Sequence, residues 1–194
     1  GQMVVVNGNF KIDSALQIQA RPSMMNVDTS ATDKQAGSKN EQTVTTHKMP
    51  KMFKESLKAV YAAYFSLQKA LADDNLDKAR TCAGKMLASL KKMHKRGASK
   101  ETVKILENIA VAASGIETAK DITVARTQFS NLTAPVDTLL SSTGSPGKTV
   151  YKFFCPMFMN NRGAYWFQDN PDLVNPYYGD VMLKCGEKVK EFAK

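Results

Sequence analysis

Between residues 50 and 142, apolar side chains recur at alternating steps of four and three. That spacing places them on one stripe of an α-helix and excludes a strand, whose side chains alternate every second residue. The first stripe is Phe53, Leu57, Val60, Tyr64, Leu67 and Leu71, with Pro50 suited to the opening turn. Asp73-Asp74-Asn75 supplies a break and a cap, and Leu76, Ala79, Ala83, Met86, Leu90 and Met93 repeat the stripe until Arg96-Gly97 ends it. Ser99 caps a third helix with Val103, Leu106, Ile109, Ala113 and Ile116 inward. Asp121 caps a fourth with Ile122, Ala125, Phe129, Leu132, Val136 and Leu139. Pro135 lies inside that last pattern and predicts a kink or an early end, because it removes one backbone donor. Short connections make successive helices antiparallel neighbours, so the expected fold is mainly α, an antiparallel up-down four-helix bundle over residues 49–142.

Two segments precede the bundle. Residues 1–25 carry two short extended pieces around an Asn7-Gly8 turn signal, too few strands for a sheet of their own, and read as the end of a β domain. A chain that opens within a strand pattern is expected to be a piece of something longer. Residues 26–48 are polar almost throughout and cannot offset ordering entropy by burial, which predicts a flexible linker. No apolar run reaches the roughly 18 residues that span a bilayer.

The net charge is +9, of which +8 falls in residues 48–96. Most of the lysines there (Lys51, Lys54, Lys58, Lys69, Lys85, Lys91, Lys92 and Lys95) occupy helical faces without a base-reading motif or stacking platform, so nucleic acid is not the expected partner. A solvated helix surface accounts for most of them. The cluster Lys91, Lys92, Lys95 and Arg96 is the candidate for docking an acidic partner.

Residues 143–194 change character. Val150–Phe154 and Ala164–Phe167 are aromatic, strand-like and separated by Asn160-Asn161-Arg162-Gly163, which predicts a β-hairpin; Asn170-Pro171 and Asn175-Pro176 mark turns beyond it. Cys155-Pro156-Met157 and Met182-Leu183-Lys184-Cys185 bracket the loop between them. Cys155, Met157, Met182 and Cys185 offer thiolate and thioether sulfur, donors that favour Cu(I) or Ag(I) over hard cations. The alternatives are a Cys155–Cys185 disulfide, worth roughly 3–4 kcal/mol, or two free thiols packed beneath Trp166 and Tyr177. Cys82 falls within the second helix and reads as a small core residue.

Catalytic signatures are missing from the sequence. His47 and His94 have no metal-ligand spacing, and there is no phosphate-binding glycine loop or nucleophile elbow, so the expectation is a chain that is not an enzyme and requires no cofactor.

Two stretches carry a family resemblance. Gly8-Asn9-Phe10-Lys11-Ile12-Asp13-Ser14 after its valine run resembles the last strands of the CusB-like periplasmic adaptors, the membrane fusion proteins of heavy-metal RND efflux systems. Val60-Tyr61-Ala62-Ala63-Tyr64, Ala70-Leu71-Ala72, Cys155-Pro156-Met157, Gly163-Ala164-Tyr165-Trp166, Asn175-Pro176-Tyr177-Tyr178-Gly179 and Met182-Leu183-Lys184-Cys185-Gly186 resemble a helical domain of unknown function found after that adaptor core or on its own in secreted proteins. The resemblance implies a periplasmic address, an inner-membrane pump and an outer-membrane channel as partners of the full-length adaptor, and copper or silver as cargo.

Overall fold

The computed structural model describes residues 50–193, so the expectations for residues 1–25 and 26–48, and His47, lie outside it. The described chain is mainly helical with a small antiparallel sheet. Its four long helices are α1 (Lys51–Ala72), α2 (Leu76–Lys92), α3 (Lys100–Glu117) and α4 (Ile122–Thr143), followed by strands β1 (Val150–Cys155), β2 (Ala164–Gln168) and β3 (Glu187–Phe192).

The stripes read from the sequence face inward, except that Leu76, Val103 and Ile122, in the first turns of their helices, are only half-buried. Phe53, Leu57, Val60, Tyr64, Leu67 and Leu71 of α1 are buried, as are Ala79, Ala83, Met86 and Leu90 of α2, Leu106, Ile109, Ala113 and Ile116 of α3, and Ala125, Phe129, Leu132, Val136 and Leu139 of α4. Cys82 is buried among them. Three expected caps are present: Asn75, Ser99 and Asp121 accept hydrogen bonds from the backbone amides of Lys78, Thr102 and Val124 at 2.9, 3.1 and 2.8 Å. Consecutive helices pack on one another, and α1 also meets α4, where the Tyr64 and Phe129 rings stack at 5.2 Å.

Three boundaries differ from expectation. Pro50 precedes α1 as its extended N-cap rather than entering the first turn. Helix α2 stops at Lys92, because Met93 turns extended and buries its side chain; Gly97 lies farther along, in the loop against Pro50. Helix α4 neither ends nor breaks at Pro135 but runs eight residues on to Thr143. The carbonyl that Pro135 leaves without a helical donor belongs to Asn131, on the exposed face open to solvent, while Val136, Leu139 and Leu140 bury apolar surface beyond.

The sheet order is β2-β1-β3. The expected hairpin is there, Cys155 pairing with Ala164 and Tyr151 with Gln168. Strand β3 is an addition the sequence did not announce; it pairs antiparallel with β1 from Val150↔Phe192 to Phe154↔Glu187, with a bulge opposite Lys152/Phe153. Strand β2 packs against both α1 and α4. Its outer edge would otherwise leave buried backbone groups unpaired, and side chains satisfy them. The Tyr64 hydroxyl accepts from the Phe167 amide at 3.2 Å, and the Thr133 and Tyr177 hydroxyls both donate to the Tyr165 carbonyl.

A second tie joins the tail to the helices. Arg126 of α4, only 11% exposed, donates to the Leu71 and Pro176 carbonyls at 2.9 and 2.8 Å and to the Asp74 carboxylate at 2.5 Å. The other oxygen of Asp74 accepts from the Asp180 amide at 2.9 Å. Residues 176–180 are thereby fixed to the α1–α2 turn.

Candidate functional site

Cys155 is the last residue of β1, and its buried side chain lies on the face of the strand that carries Phe153. Beyond the Phe154↔Glu187 pair, the register sets Gly186 across from Cys155 and Cys185 one step farther. The bulge sets this register: it takes up Val189 without a partner, so each residue after it meets a partner one position earlier. The register makes the two cysteines neighbours at the end of the sheet, and the Cys185 thiol lies against Cys155. Both thiols are free. Cys155 is wholly buried and Cys185 is partly exposed. Removal from water, and then the neighbouring Cys155, push the Cys185 thiol above its ordinary value of 9.0.

The approach depends on Gly186. At φ 135° it lies outside the region that side chains favour, and a β-carbon there would fall 2.8 Å from the Phe154 carbonyl oxygen and 2.9 Å from the Trp166 ring. Asn175, fully buried, holds the strand that arrives. Its amide donates to the Leu183 carbonyl and its Nδ2 to the Cys185 carbonyl, each at 2.8 Å, while its Oδ1 accepts from the Tyr177 amide at 2.7 Å. The Cys185 amide closes the turn onto the Met182 carbonyl at 3.0 Å. Beneath this turn the Tyr177 ring stacks on Phe158 at 4.3 Å and meets Trp166 edge-on at 6.0 Å. Burial holds the Tyr177 hydroxyl far above its ordinary 10.0, so it remains a donor.

Of the four sulfur residues expected to converge, the structure brings together the two cysteines. Met157 and Met182 stay on the surface, 42% and 37% exposed. Met157 is placed by its carbonyl, which accepts from the Tyr178 hydroxyl at 2.9 Å. The loop continues through three left-handed residues, Met159, Asn160 and Asn161, with the Met159 sulfur accepting from the Ser130 hydroxyl at 3.7 Å. Among the described residues no group of three or more His, Cys, Asp and Glu side chains is placed to hold a metal ion.

The basic cluster is split by the early end of α2. Lys91 and Lys92 lie in its last turn, Lys95 and Arg96 in the connection to α3. All four are exposed, as is His94, and none makes an ion pair among the described residues. No helix among the described residues is long and apolar enough to cross a membrane.

Asn175 and Gly186 are the positioning residues that the sequence did not disclose. Asn175-Pro176 reads as an ordinary turn signal, and Gly186 follows a cysteine with no local reason for its conformation. The signal available was the pairing of an Asn-Pro turn with a Cys-Gly step ten residues on.

Residues 60–148 match a family model described as a protein of unknown function (DUF3347). The matched stretch takes in most of α1 and all of α2, α3 and α4, and it stops before β1, so both thiols lie outside it. No curated protein and no solved structure matches the chain.

Proposed function

We propose that this chain is an accessory domain of a periplasmic adaptor for heavy-metal efflux, a non-enzymatic module that holds Cu(I) or Ag(I) between Cys155 and Cys185. The observation that carries the reading is the facing pair of unbridged thiols at the end of β1, clamped from one side by Asn175 and Gly186. Two thiolates suit a soft monovalent cation, which accepts low coordination numbers and polarisable donors; Zn(II) prefers four ligands. Met157 and Met182 are exposed thioethers two and three residues from the cysteines along the chain. The helices are read as an antiparallel up-down bundle that carries the sheet. In the full-length adaptor the partners are the inner-membrane RND pump and the outer-membrane channel. No nucleic acid is involved.

The test is competition for Ag(I) and Cu(I) between a chromophoric chelator and the reduced chain. Loss of groups that merely orient ligands costs about 10–100-fold in affinity, so loss of the ligands themselves should exceed about a hundredfold. The expected result is one thiol-dependent equivalent in the wild type and that loss in C155S/C185S. Equal binding by the two proteins removes the metal reading.

A second reading, a metal-free interaction module with a structural cysteine pair, is favoured by one observation. Lys91, Lys92, Lys95 and Arg96 are exposed and free of carboxylate partners among the described residues. An acidic protein face would find four uncommitted cations there. K91E/K92E should then weaken salt-sensitive binding to the adaptor assembly, measured by pull-down at two ionic strengths; binding that ignores both substitutions and salt counts against it.

A further inference from the structure

We infer that Cys155 and Cys185 form a thiol–disulfide exchange pair with divided roles: Cys185 meets an incoming disulfide, and Cys155 resolves the adduct into an internal bridge. The division follows from burial. Cys155 is wholly enclosed at the end of β1 and is closed to an external reagent, whereas Cys185 is partly exposed on the turn above it. The register that ends at Phe154↔Glu187 makes the two cysteines neighbours, and the inner sulfur lies beside the outer one. Asn175 grips the Cys185 carbonyl, so the turn stays in place while the outer sulfur is modified. The remaining thiol, Cys82, is buried within α2 and takes no part.

The oxidant is a low-molecular-weight disulfide, RSSR. Cys185 loses its proton to solvent, and its sulfur attacks one sulfur of RSSR; the S–S bond breaks and RS⁻ leaves, taking a proton to become RSH. Cys155, deprotonated in turn, attacks the Cys185 sulfur of the mixed disulfide and expels a second RSH. Two protein thiols are oxidised by two electrons in all, and one RSSR is reduced to two RSH. The bridge consumes both thiolates, so it also closes the soft-cation site; this coupling, unlike the exchange, rests on the function proposed above.

The experiment treats the reduced full chain with oxidised glutathione, quenches by alkylation and locates each modification by peptide mass mapping. The expected wild-type product is a Cys155–Cys185 bridge, with one of the three thiols, Cys82, still alkylated. C155S and C155A should accumulate a glutathione adduct on Cys185. C185S and C185A should leave Cys155 unmodified over the same time, with circular dichroism verifying the helices and the urea-unfolded chain serving as the accessible reference. Glutathione on Cys155 of folded C185S or C185A at the rate seen for Cys185 overturns the proposal, as does a wild-type adduct that never resolves to a bridge. Ag(I) is then offered to the bridged and reduced wild type. Binding lost only in the bridged form supports the coupling, and equal binding by both overturns it. If neither form binds Ag(I), the metal reading and its coupling fail while the exchange stands.

Discussion

At Gly186 the backbone passes between the Phe154 carbonyl and the Trp166 ring with no space for a methyl group. Adding one must push β3 away from β1 at the very step that carries Cys185. Gly186→Ala should therefore destabilise the protein by about 1–3 kcal/mol, as overpacking does, and its urea unfolding midpoint will show it. The same variant should bridge its cysteines more slowly with oxidised glutathione than the wild type. Neither property was legible in the sequence. A glycine announces freedom, but which neighbour demands it depends on a strand more than thirty residues away. The cysteines were visible as candidates because their chemistry is local. Their meeting was not, since the bulge that sets the β1–β3 register has no signature within Lys152-Phe153.

The elements were legible in proportion to how apolar their buried faces are. Helices α1 to α4 reveal themselves because a stripe at helical spacing has no other stable use. Strand β3 escaped notice because Glu187, Lys188, Val189, Lys190 and Glu191 are all exposed and carry no alternation. The end of α2 was placed too late because the tertiary burial of Met93 overrides the glycine four residues on. Between elements, the junction of Asp74 with Arg126 supplies a pH-dependent tie. Burial alone would raise the Asp74 carboxyl, but the Asp180 amide and the Arg126 guanidinium outweigh it and hold it below its ordinary 3.8. A carboxyl lowered in the folded state adds stability above its unfolded value and loses it as the pH falls through the folded one. D74N should be less stable than the wild type at pH 7, by about 1 kcal/mol given the partial exposure of the pair. That difference should close as the pH drops below 3.8, measured by thermal melts across the range.

On the scale of the whole molecule, the sheet belongs to the helical core. Tyr64 of α1 and Phe129 of α4 lie under Phe167 and Tyr177, and Lys152 of β1 reaches Asp137 of α4 at 2.5 Å. A chain truncated after Lys148, close to the end of the family match, should uncover those rings, bind a hydrophobic dye and melt at lower temperature with its helices largely retained. A truncated chain that melts like the wild type and ignores the dye would mean the sheet is an independent appendage. Burial of this kind joins residues a hundred positions apart, which is why the sequence suggested helices and a hairpin and left the shared aromatic layer unspecified. The hydroxyls that saturate the outer side of β2 have one more effect. Among the described residues the open margin is β3, where an incoming backbone must align beside Lys188, Lys190, Glu187 and Glu191. A three-stranded sheet with one margin occupied by side-chain hydroxyls and the other carrying charges of both signs resists growing into fibres.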